Sequence, residues 1–400
     1  MSIENKLIYL NGTKEKLKES INNIGGSITD ETTFRAYATE LDNIYTNLPK
    51  TTGEGSNLSL TTLKGRINVD NIKGDTQQDS TPTPSSPQDI NVVTGTQEVV
   101  VQNKNLFNKD TITENQRIGP SGNKNYDENC DLSDYIKIQP NTTYTRNITA
   151  SVYECIAFYT SEKVFISRDT AHSTTTSPNN AYYVRLSCYK TNLDTLQFEL
   201  GSTATSYIAH QEQTKTLHLG DIELCKIGTY QDRIYKNSDK WYIEKNIGKV
   251  VLKDVPQGAN NWTKSNAYST NDYFCGFCGF ASIKINSYYI LCNKLINAIY
   301  SDTTTSECIA NDSESVNLKI KASRLSENSP TGLANYLANE GSDIYIQYIL
   351  KTPTYEEITN ETLIEELNEL EKMMSYNGQT NISVSGNLPM ILDVTALKGE

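Results

Sequence analysis

The sequence predicts a mainly β protein with two β-sandwich or jelly-roll-like units, an N-terminal helical hairpin and one C-terminal amphipathic helix. Two observations predict this class. Hydrophobic residues make up 36% and charged residues 21% of the 400 residues, while Asn, Thr, Ser and 25 Tyr are abundant. Short apolar or aromatic runs also alternate with turn-forming clusters along most of the chain. Such a chain favours many short strands joined by polar loops over a helical enzyme with a large apolar core.

The charge balance argues against some classes of partner. The chain has 36 basic and 48 acidic residues, a formal net charge of −12, and no basic patch that would neutralise phosphates. We therefore expect no nucleic-acid partner. No apolar run is long enough to cross a bilayer, and the first residues lack a signal-peptide pattern, so we expect synthesis in a cytoplasm and no membrane insertion. The scattered cysteines are expected to be reduced and mostly buried.

Residues 1–49 are predicted to form a helical segment for anchoring or oligomerisation. A first helix over 3–24 is expected to end at Gly25, and a second, over 30–48, at Pro49. Apolar residues of the first helix follow heptad spacing, with a charged interruption at Lys14; this stripe consists of Leu7, Leu10, Leu17, Ile21 and Ile24. Two interpretations stay open: a hairpin packed on itself, or a helix that associates with copies of itself.

The middle of the chain predicts a linker followed by β units. Residues 50–89 are linker-like and end in a proline-rich stretch. Residues 90–212 carry several short strand candidates separated by turn clusters, which predicts a β-sandwich. Residues 213–352 predict a second β-rich domain. It opens with a hairpin in which Ile234 and Tyr235 face Trp241 to Ile243 across the polar break 237–239.

Residues 353–400 predict a C-terminal helix and closing strands. The helix is expected over 355–376, with Thr359 as its N-cap and Gly378 after its end. Its apolar face is covered by glutamates on the other sides; the stripe consists of Leu363, Leu367, Leu370 and Met374.

The sequence contains one local motif typical of reactive chemistry, Cys275-x-x-Cys278. A zinc site would need further ligands at suitable spacing, and a redox motif would need a helix after it, so a core or turn role is favoured. The three histidines are isolated, and no nucleophile or phosphate-loop motif is present. We predict no catalytic, cofactor or metal site, although carboxylates paired in space for glycan cleavage stay open as an alternative.

Three aromatic residues mark a candidate glycan contact. Trp262, Tyr268 and Tyr273 lie in the polar, turn-rich segment 258–273. Aromatic ring faces stack on the apolar faces of sugars, which is the functional interpretation. The alternative, favoured for Trp262, is a loop anchor that fills a small apolar cluster.

Several blocks of the sequence resemble tail and minor structural proteins of bacteriophages that infect Gram-positive bacteria. The resemblance is carried by LIYLNGTKEKLKESINNIG with TFRAYATELDNI, PTPSSPQDINVVTG with VQNKNLF, YYVRLSCY with LQFELGSTATSYIAH, LGDIELCKIGTYQDRIYKNSDKWYIEKNIGKVVL, and SYNGQTNISVSGNLPMILDVTALK. The third block is similar to the end of their carbohydrate-binding-like sandwich. The family offers no catalytic motif to transfer.

The resemblance implies a virion protein of a phage tail tip or baseplate, not an enzyme. It would anchor by its N-terminus to other tail or baseplate proteins, assemble as a homo-oligomer with a trimer favoured, and present its β-sandwich units for adsorption to host cell-wall glycans. Two alternatives stay open: a glycan-degrading tail enzyme, and a purely structural connector or head fibre without receptor contact. No cofactor is expected.

Overall fold

A computed structural model describes the protein at residues 3–23, 27–255, 262–284, 289–298, 306–312 and 314–399. The fold is mainly β, and a curled β-sheet forms a half-barrel. The described part contains four α-helices and four 3-10 turns. The helices are α1 (Ile3–Asn23), α2 (Ala36–Asn47), α3 (Pro330–Ala338) and α4 (Glu361–Leu370), and the 3-10 turns are Lys109–Thr111, Lys190–Thr195, Leu252–Asp254 and Ala322–Arg324.

The strands are short, apart from two long ones in the second half of the chain. Those of the first half are β1 (Lys50–Gly55), β2 (Asn57–Thr62), β3 (Asn68–Lys73), β4 (Thr76–Gln77), β5 (Asn91–Val92), β6 (Thr96–Gln102), β7 (Gln116–Ile118), β8 (Lys124–Tyr126), β9 (Cys130–Leu132), β10 (Ile136–Lys137), β11 (Thr143–Arg146), β12 (Ile156–Tyr159), β13 (Phe165–Asp169), β14 (Thr174–Thr176), β15 (Tyr183–Tyr189) and β16 (Phe198–Leu200). Those of the second half are β17 (Glu212–His218), β18 (Lys226–Ile227), β19 (Tyr230–Gln231), β20 (Arg233–Asn237), β21 (Lys240–Val251), β22 (Thr263–Lys264), β23 (Tyr273–Gly279), β24 (Ile290–Cys292), β25 (Ile296–Asn297), β26 (Cys308–Asp312), β27 (Ser315–Lys321), β28 (Tyr345–Glu357), β29 (Gly378–Ser385) and β30 (Ile391–Leu397).

Two sheets and helix α4 form a central body. The larger sheet has the order β1-β30-β3-β20-β21-β28-β24, and the smaller has the order β17-β6-β29-β2. One apolar core lies between them. Each sheet turns alternate residues toward this core, as the two-residue period of a strand requires. The core includes Ile72, Ile234, Trp241 and Val394 from the larger sheet, Val99, Val101, Ile382 and Val384 from the smaller, and Leu363, Leu367 and Leu370 from α4.

Two further units are inserted between strands that pair directly with each other. Gln102 at the end of β6 lies opposite Glu212 at the start of β17, so residues 103–211 leave and rejoin the smaller sheet at one place. In the same way Val251 of β21 lies opposite Tyr345 of β28. The first inserted unit has its own core around Phe158, Leu186 and Phe198. The second has a five-stranded sheet, β22-β23-β27-β26-β25, helix α3 and a separate core.

Residues 50–89, for which the sequence predicts a linker, contain strands of the central body. Strand β1 pairs with β30 along six residues, and β2 pairs with β29. The predicted closing strands at the C-terminus therefore lie inside both sheets and not beside them. A pairing between residues more than 300 positions apart leaves no local trace in the sequence, which explains the difference.

Helix α4 begins later than the sequence predicts. The predicted N-cap is Thr359, but Asn360 caps the helix, and its side-chain oxygen accepts a hydrogen bond from the Leu363 backbone N–H at 3.1 Å. Residues 355–357 belong to β28, because they pair with β21, where Tyr355 lies opposite Glu244. The predicted stripe is buried at its three leucines, whereas Met374 is 37% exposed. Sheet pairing overrides helix propensity at this end.

The predicted hairpin in the middle of the chain is confirmed. Strands β20 and β21 pair from Arg233 opposite Glu244 to Asn237 opposite Lys240. The turn contains no glycine, and Ser238 adopts the left-handed conformation with φ of 56°. Strand β21 then continues to Val251, with a bulge between Lys245 and Ile247 where it pairs with β28.

A buried carboxylate holds this bulge in place. Asp232 is 0% exposed and accepts hydrogen bonds from the backbone N–H groups of Asn246 at 2.7 Å, Ile247 at 3.0 Å and Cys225 at 2.9 Å. The Lys245 ammonium completes its set of partners. Since a bulge frees backbone donors from the ladder, Asp232 supplies the acceptor that the neighbouring strand does not.

Candidate functional site

A cleft lies between the smaller sheet and the first inserted unit. On β6, the core side of the strand carries Val99 and Val101, so Glu98, Val100 and Gln102 face outward. The outward residues of the neighbouring strands continue this surface, and the inserted unit stands over it. The enclosed volume is about 480 Å³. The floor consists of Glu98, Val100, Gln102, Glu212, Thr214, Ser383 and Ser385.

The opposite wall belongs to the inserted unit. It is supplied by β10, the residues just before it and residues near the start of the unit. Lys137 crosses the cleft, and its ammonium donates to the Val384 carbonyl oxygen on β29. The wall consists of Leu106, Asn108, Thr111, Ser133, Asp134, Tyr135, Ile136, Lys137, Tyr183 and His210.

Two buried asparagines fix the place where the inserted unit joins the sheet. The Asn103 side chain donates to the Ala209 carbonyl oxygen at 2.8 Å. The Asn105 side chain donates to the carbonyl oxygens of Leu196 at 3.1 Å and Ile208 at 2.9 Å, and it accepts from two backbone N–H groups. These amides link the segment that enters the inserted unit with the segment that leaves it. They therefore hold the wall of the cleft at a fixed position over its floor.

Three carboxylates line the cleft: Glu98, Asp134 and Glu212. All three residues are exposed. The Glu98 carboxylate has no hydrogen-bond or ion-pair partner among the described residues. One oxygen of Asp134 accepts from the Tyr135 backbone N–H at 2.7 Å, and Glu212 lies 3.1 Å from the His210 ring. The cleft therefore presents several acceptor oxygens with open hydrogen-bonding capacity.

Lys137 and His210 of the cleft each contact neighbouring groups of the protein. Burial lowers the pKa of Lys137 from its usual value, and the nearby Glu98 carboxylate opposes this shift. The side chain of His210 is 8% exposed, its Nδ1 lies 2.6 Å from the Asn105 carbonyl oxygen, and its Nε2 lies against Glu212.

The two tyrosines of the wall belong to an aromatic cluster. Tyr135 and Tyr183 meet edge to face, with ring centroids 6.0 Å apart. The Lys163 ammonium and the Arg185 guanidinium lie 4.9 and 4.8 Å from the Tyr135 ring centroid. The ring of Tyr135, which lines the cleft, is therefore held by contacts with both cations.

The lining fits a hydroxyl-rich ligand. Carboxylate, amide and hydroxyl groups at short intervals match the paired donors and acceptors of a sugar or polyol, and the volume lies within the usual range of ligand sites. Glu212 lies opposite Gln102, four residues along β6 from Glu98, so their Cα atoms are separated by roughly 14 Å along the strand. The roughly 5 to 9.5 Å spacing of glycosidases is measured between carboxyl groups and not between Cα atoms.

The predicted glycan contacts lie elsewhere, in the second inserted unit. Trp262 is 6% exposed and packs in that unit's core, so the prediction of a sugar-stacking ring is wrong for this residue, and the loop-anchor alternative describes it. Tyr268 is 40% exposed. Tyr273 is half-buried, with the Lys319 ammonium 4.7 Å from its ring centroid. None of the three lines the cleft.

The predicted N-terminal stripe is divided between the interior and the surface. Ile21 is buried against Ile28 and Tyr37, whereas Leu10 is 61% and Leu17 39% exposed. Ile24 lies outside the described residues, as does the side chain of Leu7. On and beside α2, Phe34 and Leu41 are also exposed. The helix pair thus keeps an apolar surface that its own small core does not cover.

The Cys275-x-x-Cys278 motif lies on strand β23. Cys278 faces the core of the second inserted unit, whereas Cys275 faces a separate cluster with Cys308. Residues three apart on a strand point to opposite faces, so the two sulfurs do not converge. Burial raises the pKa of Cys278 to about 11, which favours the unreactive thiol. Within the described residues, no group of three or more His, Cys, Asp and Glu is placed to hold a metal ion.

No local pattern of the sequence indicates the cleft. Its residues come from strands far apart in the chain, and only the register of β6 between β17 and β29 brings Glu98, Glu212 and Ser385 together. The three valines at 99–101 between polar residues indicate a strand and give no signal of the cleft. Among the described helices, none has the length and apolar character needed to span a bilayer.

Comparisons of the chain with protein-family models, with curated proteins and with solved structures give no match.

Proposed function

We propose that the protein is a structural component of a phage tail tip or baseplate, which anchors by its N-terminal helices and presents its β units for adsorption to host cell-wall glycans. The observation that carries this proposal is the helix pair. Its described core is limited to Ile21, Ile28 and Tyr37, while apolar side chains remain exposed on both helices. Helices of this size bury too little surface to be stable alone, so this segment needs a partner surface.

The resemblance to phage tail proteins supports the virion assignment, and the fold supports a role in binding. We interpret α1 and α2 as a helical hairpin and residues 103–211 as a β-sandwich of the carbohydrate-binding-like type. Its sheets, β10-β15-β12-β13 and β14-β11-β16, both contribute side chains to one core. The cleft beside this unit has the polar lining that a glycan requires.

Self-assembly is tested by the mass of the purified protein in solution. We expect a homo-oligomer, with a trimer favoured, because the heptad spacing of the stripe suits helix association and several copies strengthen weak glycan contacts through avidity. The double variant Leu10→Glu with Leu17→Glu should shift sedimentation to the monomer. Ser20→Glu, at an exposed polar position of the same helix, should leave the mass unchanged. A monomeric wild-type protein at micromolar concentration would contradict self-assembly.

Adsorption is tested with labelled protein and whole cells of Gram-positive bacteria. A bulky side chain in the cleft, Thr214→Trp, should reduce the bound protein several-fold, whereas Thr52→Trp, on the exposed edge strand β1, should not. Equal binding by both variants and the wild type would show that the cleft takes no part in adsorption.

The same incubations test for reducing ends, and released sugar would favour the glycan-degrading alternative. Immunogold labelling of virions locates the protein, and a head position without cell binding would favour a connector or head fibre.

A further inference from the structure

The carboxylates of the cleft outnumber its available cations. Of the three carboxylates in the lining, Glu212 has His210 beside it, and Lys137 lies near Glu98 but gives its ammonium hydrogen bond to the Val384 carbonyl oxygen. Glu98 and Asp134 have no ion-pair partner in the part of the chain that the structure describes. Carboxylates without an ion-pair partner favour a positively charged ligand, and the net charge of −12 acts in the same direction.

The lining also restricts where a positive charge can lie. Glu98 and Ser385 are cross-strand neighbours on the floor, and the Asp134 carboxylate stands on the opposite wall. An ammonium group between floor and wall would donate to carboxylate and hydroxyl oxygens at once, and charge-assisted hydrogen bonds are the stronger kind. Tyr135 and Tyr183 line the same wall. An anionic polymer would instead meet the carboxylates of Glu98 and Asp134, which have no ion-pair partner among the described residues.

From this geometry we propose that the cleft selects a glycan segment that bears a protonated amine, such as an amino sugar without its acetyl group, and that it disfavours phosphate-bearing polymers. Glu98 is the primary partner of the amine, and Glu212 and Asp134 are secondary partners. The inference rests on the proposed adsorption function and gives it a ligand class. Thr214→Trp blocks the cleft by its bulk, whatever the charge of the ligand. The proposal of adsorption through the cleft and the proposal of an amine-bearing ligand can therefore fail separately.

The test is a titration of the full-length protein with three soluble probes at about pH 6, where a sugar amine is protonated. The probes are a glucosamine tetramer, its fully N-acetylated counterpart and a glycerol phosphate oligomer of similar length. We expect the amine tetramer to bind at least about ten-fold more tightly than the acetylated one, and the phosphate oligomer not to bind in the cleft. Raising the salt concentration should weaken the amine complex selectively, because screening acts on charge pairs.

Variants assign the effect to the cleft. Glu98→Gln keeps the size and hydrogen-bonding capacity of the side chain and should remove most of the preference for the amine tetramer, and Glu212→Gln should reduce it less. The control is Glu128→Gln, an exposed glutamate outside the cleft lining, which should change nothing. Equal affinity for the amine and acetylated tetramers, no binding of the amine tetramer at millimolar concentration, or tighter binding of the phosphate oligomer would each overturn the inference. Circular dichroism of each variant separates loss of binding from loss of fold.

Discussion

At the scale of single residues, buried charge decides how tightly the central hairpin is held. Asp232 is fully buried, and three backbone N–H groups and the Lys245 ammonium converge on its carboxylate. Backbone donors at the bulge of β21 cannot be satisfied by the neighbouring strand, so the carboxylate is their substitute. Its removal leaves these donors and a lysine without their partner.

We therefore predict that Asp232→Ala lowers the free energy of unfolding by about 3 to 5 kcal/mol, the usual cost of breaking a buried ion pair. Urea denaturation followed by tryptophan fluorescence measures the change, because Trp241 lies in the core beside this strand pair. Asp221→Ala, at an exposed position in the preceding loop, is the control and should change stability by no more than about 0.5 kcal/mol. A loss at Asp232 no larger than the control's would refute the role given to it.

Arg146 is the opposite case, a buried cation with incomplete bonding. It is 2% exposed, Nη2 donates to the Glu154 carbonyl oxygen at 2.7 Å, and Nε and Nη1 have no partner among the described residues. Burial lowers its pKa from the usual value, which reflects the cost of charge at this position. Replacement of a poorly compensated buried charge by an apolar side chain of similar volume is often neutral or stabilising.

We expect Arg146→Met to leave the free energy of unfolding unchanged or to raise it by about 1 to 4 kcal/mol. The comparison variant is Arg185→Met, since Arg185 is also 2% exposed but donates to the Ser133 carbonyl oxygen at 2.8 Å and lies over the Tyr135 ring. That variant should be destabilised. Chemical denaturation of both proteins decides the question, and a clear loss of stability in Arg146→Met would show that the guanidinium has partners beyond Glu154.

At the scale of elements, helix α4 closes the core of the central body and is fixed to β17 by charge. Three leucines of the helix are buried, while Glu369 pairs with Lys215 of β17 at 2.8 Å and with Lys372. Hydrogen bonds from Lys215 and then Lys372 lower the pKa of Glu369 from its usual 4.5 to about 2. Because the folded-state pKa is depressed, the stabilisation is present above about pH 4.5 and is lost as the pH falls toward 2.

Glu369→Gln should therefore flatten part of the acid dependence of stability. Thermal unfolding measured between about pH 5 and pH 2.5 should show a smaller fall in Tm for the variant than for the wild type, although its Tm at neutral pH is lower. Glu365→Gln, at an exposed position on the same helix, should keep the wild-type slope. Equal slopes for Glu369→Gln and the wild type would place the titrating groups outside this contact.

At the scale of the whole molecule, we expect the central body to be separable from the first inserted unit. Because Gln102 and Glu212 lie directly opposite each other, a two-residue Asn-Gly turn can join β6 to β17 in place of residues 103–211. We predict that this deletion variant folds cooperatively and keeps the buried Trp241, since the core of the body includes no residue of the inserted unit. Fluorescence and urea denaturation measure the outcome. An unfolded or aggregated product would mean that contacts such as that of Lys137 with Val384 are required for folding.

The sequence predicts local features of this molecule better than its assembly. The mainly β class and the hairpin at 237–239 follow from residue types and turn chemistry, and both are confirmed. The pairing of Leu58 with Ile382 brings together residues that are distant in the chain, and no periodicity encodes it. The cleft depends on the same distant pairings, which is why Trp262 drew the functional prediction and Glu98 did not. An aromatic residue in a polar segment has the same local signature whether its ring is buried or exposed.

The position of β29 between β6 and β2, and of β30 between β1 and β3, has a consequence for folding kinetics. Both sheets of the body stay incomplete until the last strands leave the ribosome, whereas each inserted unit has nearly all its strands within one continuous stretch. We therefore expect the inserted units to collapse first and the body to close last, as a slow step set by distant contacts. Until then the edges of β1, β2, β3 and β6 are open to pairing with other nascent chains. Low expression temperature and chaperones should accordingly raise the yield of this protein more than they would for a chain of similar size with local contacts.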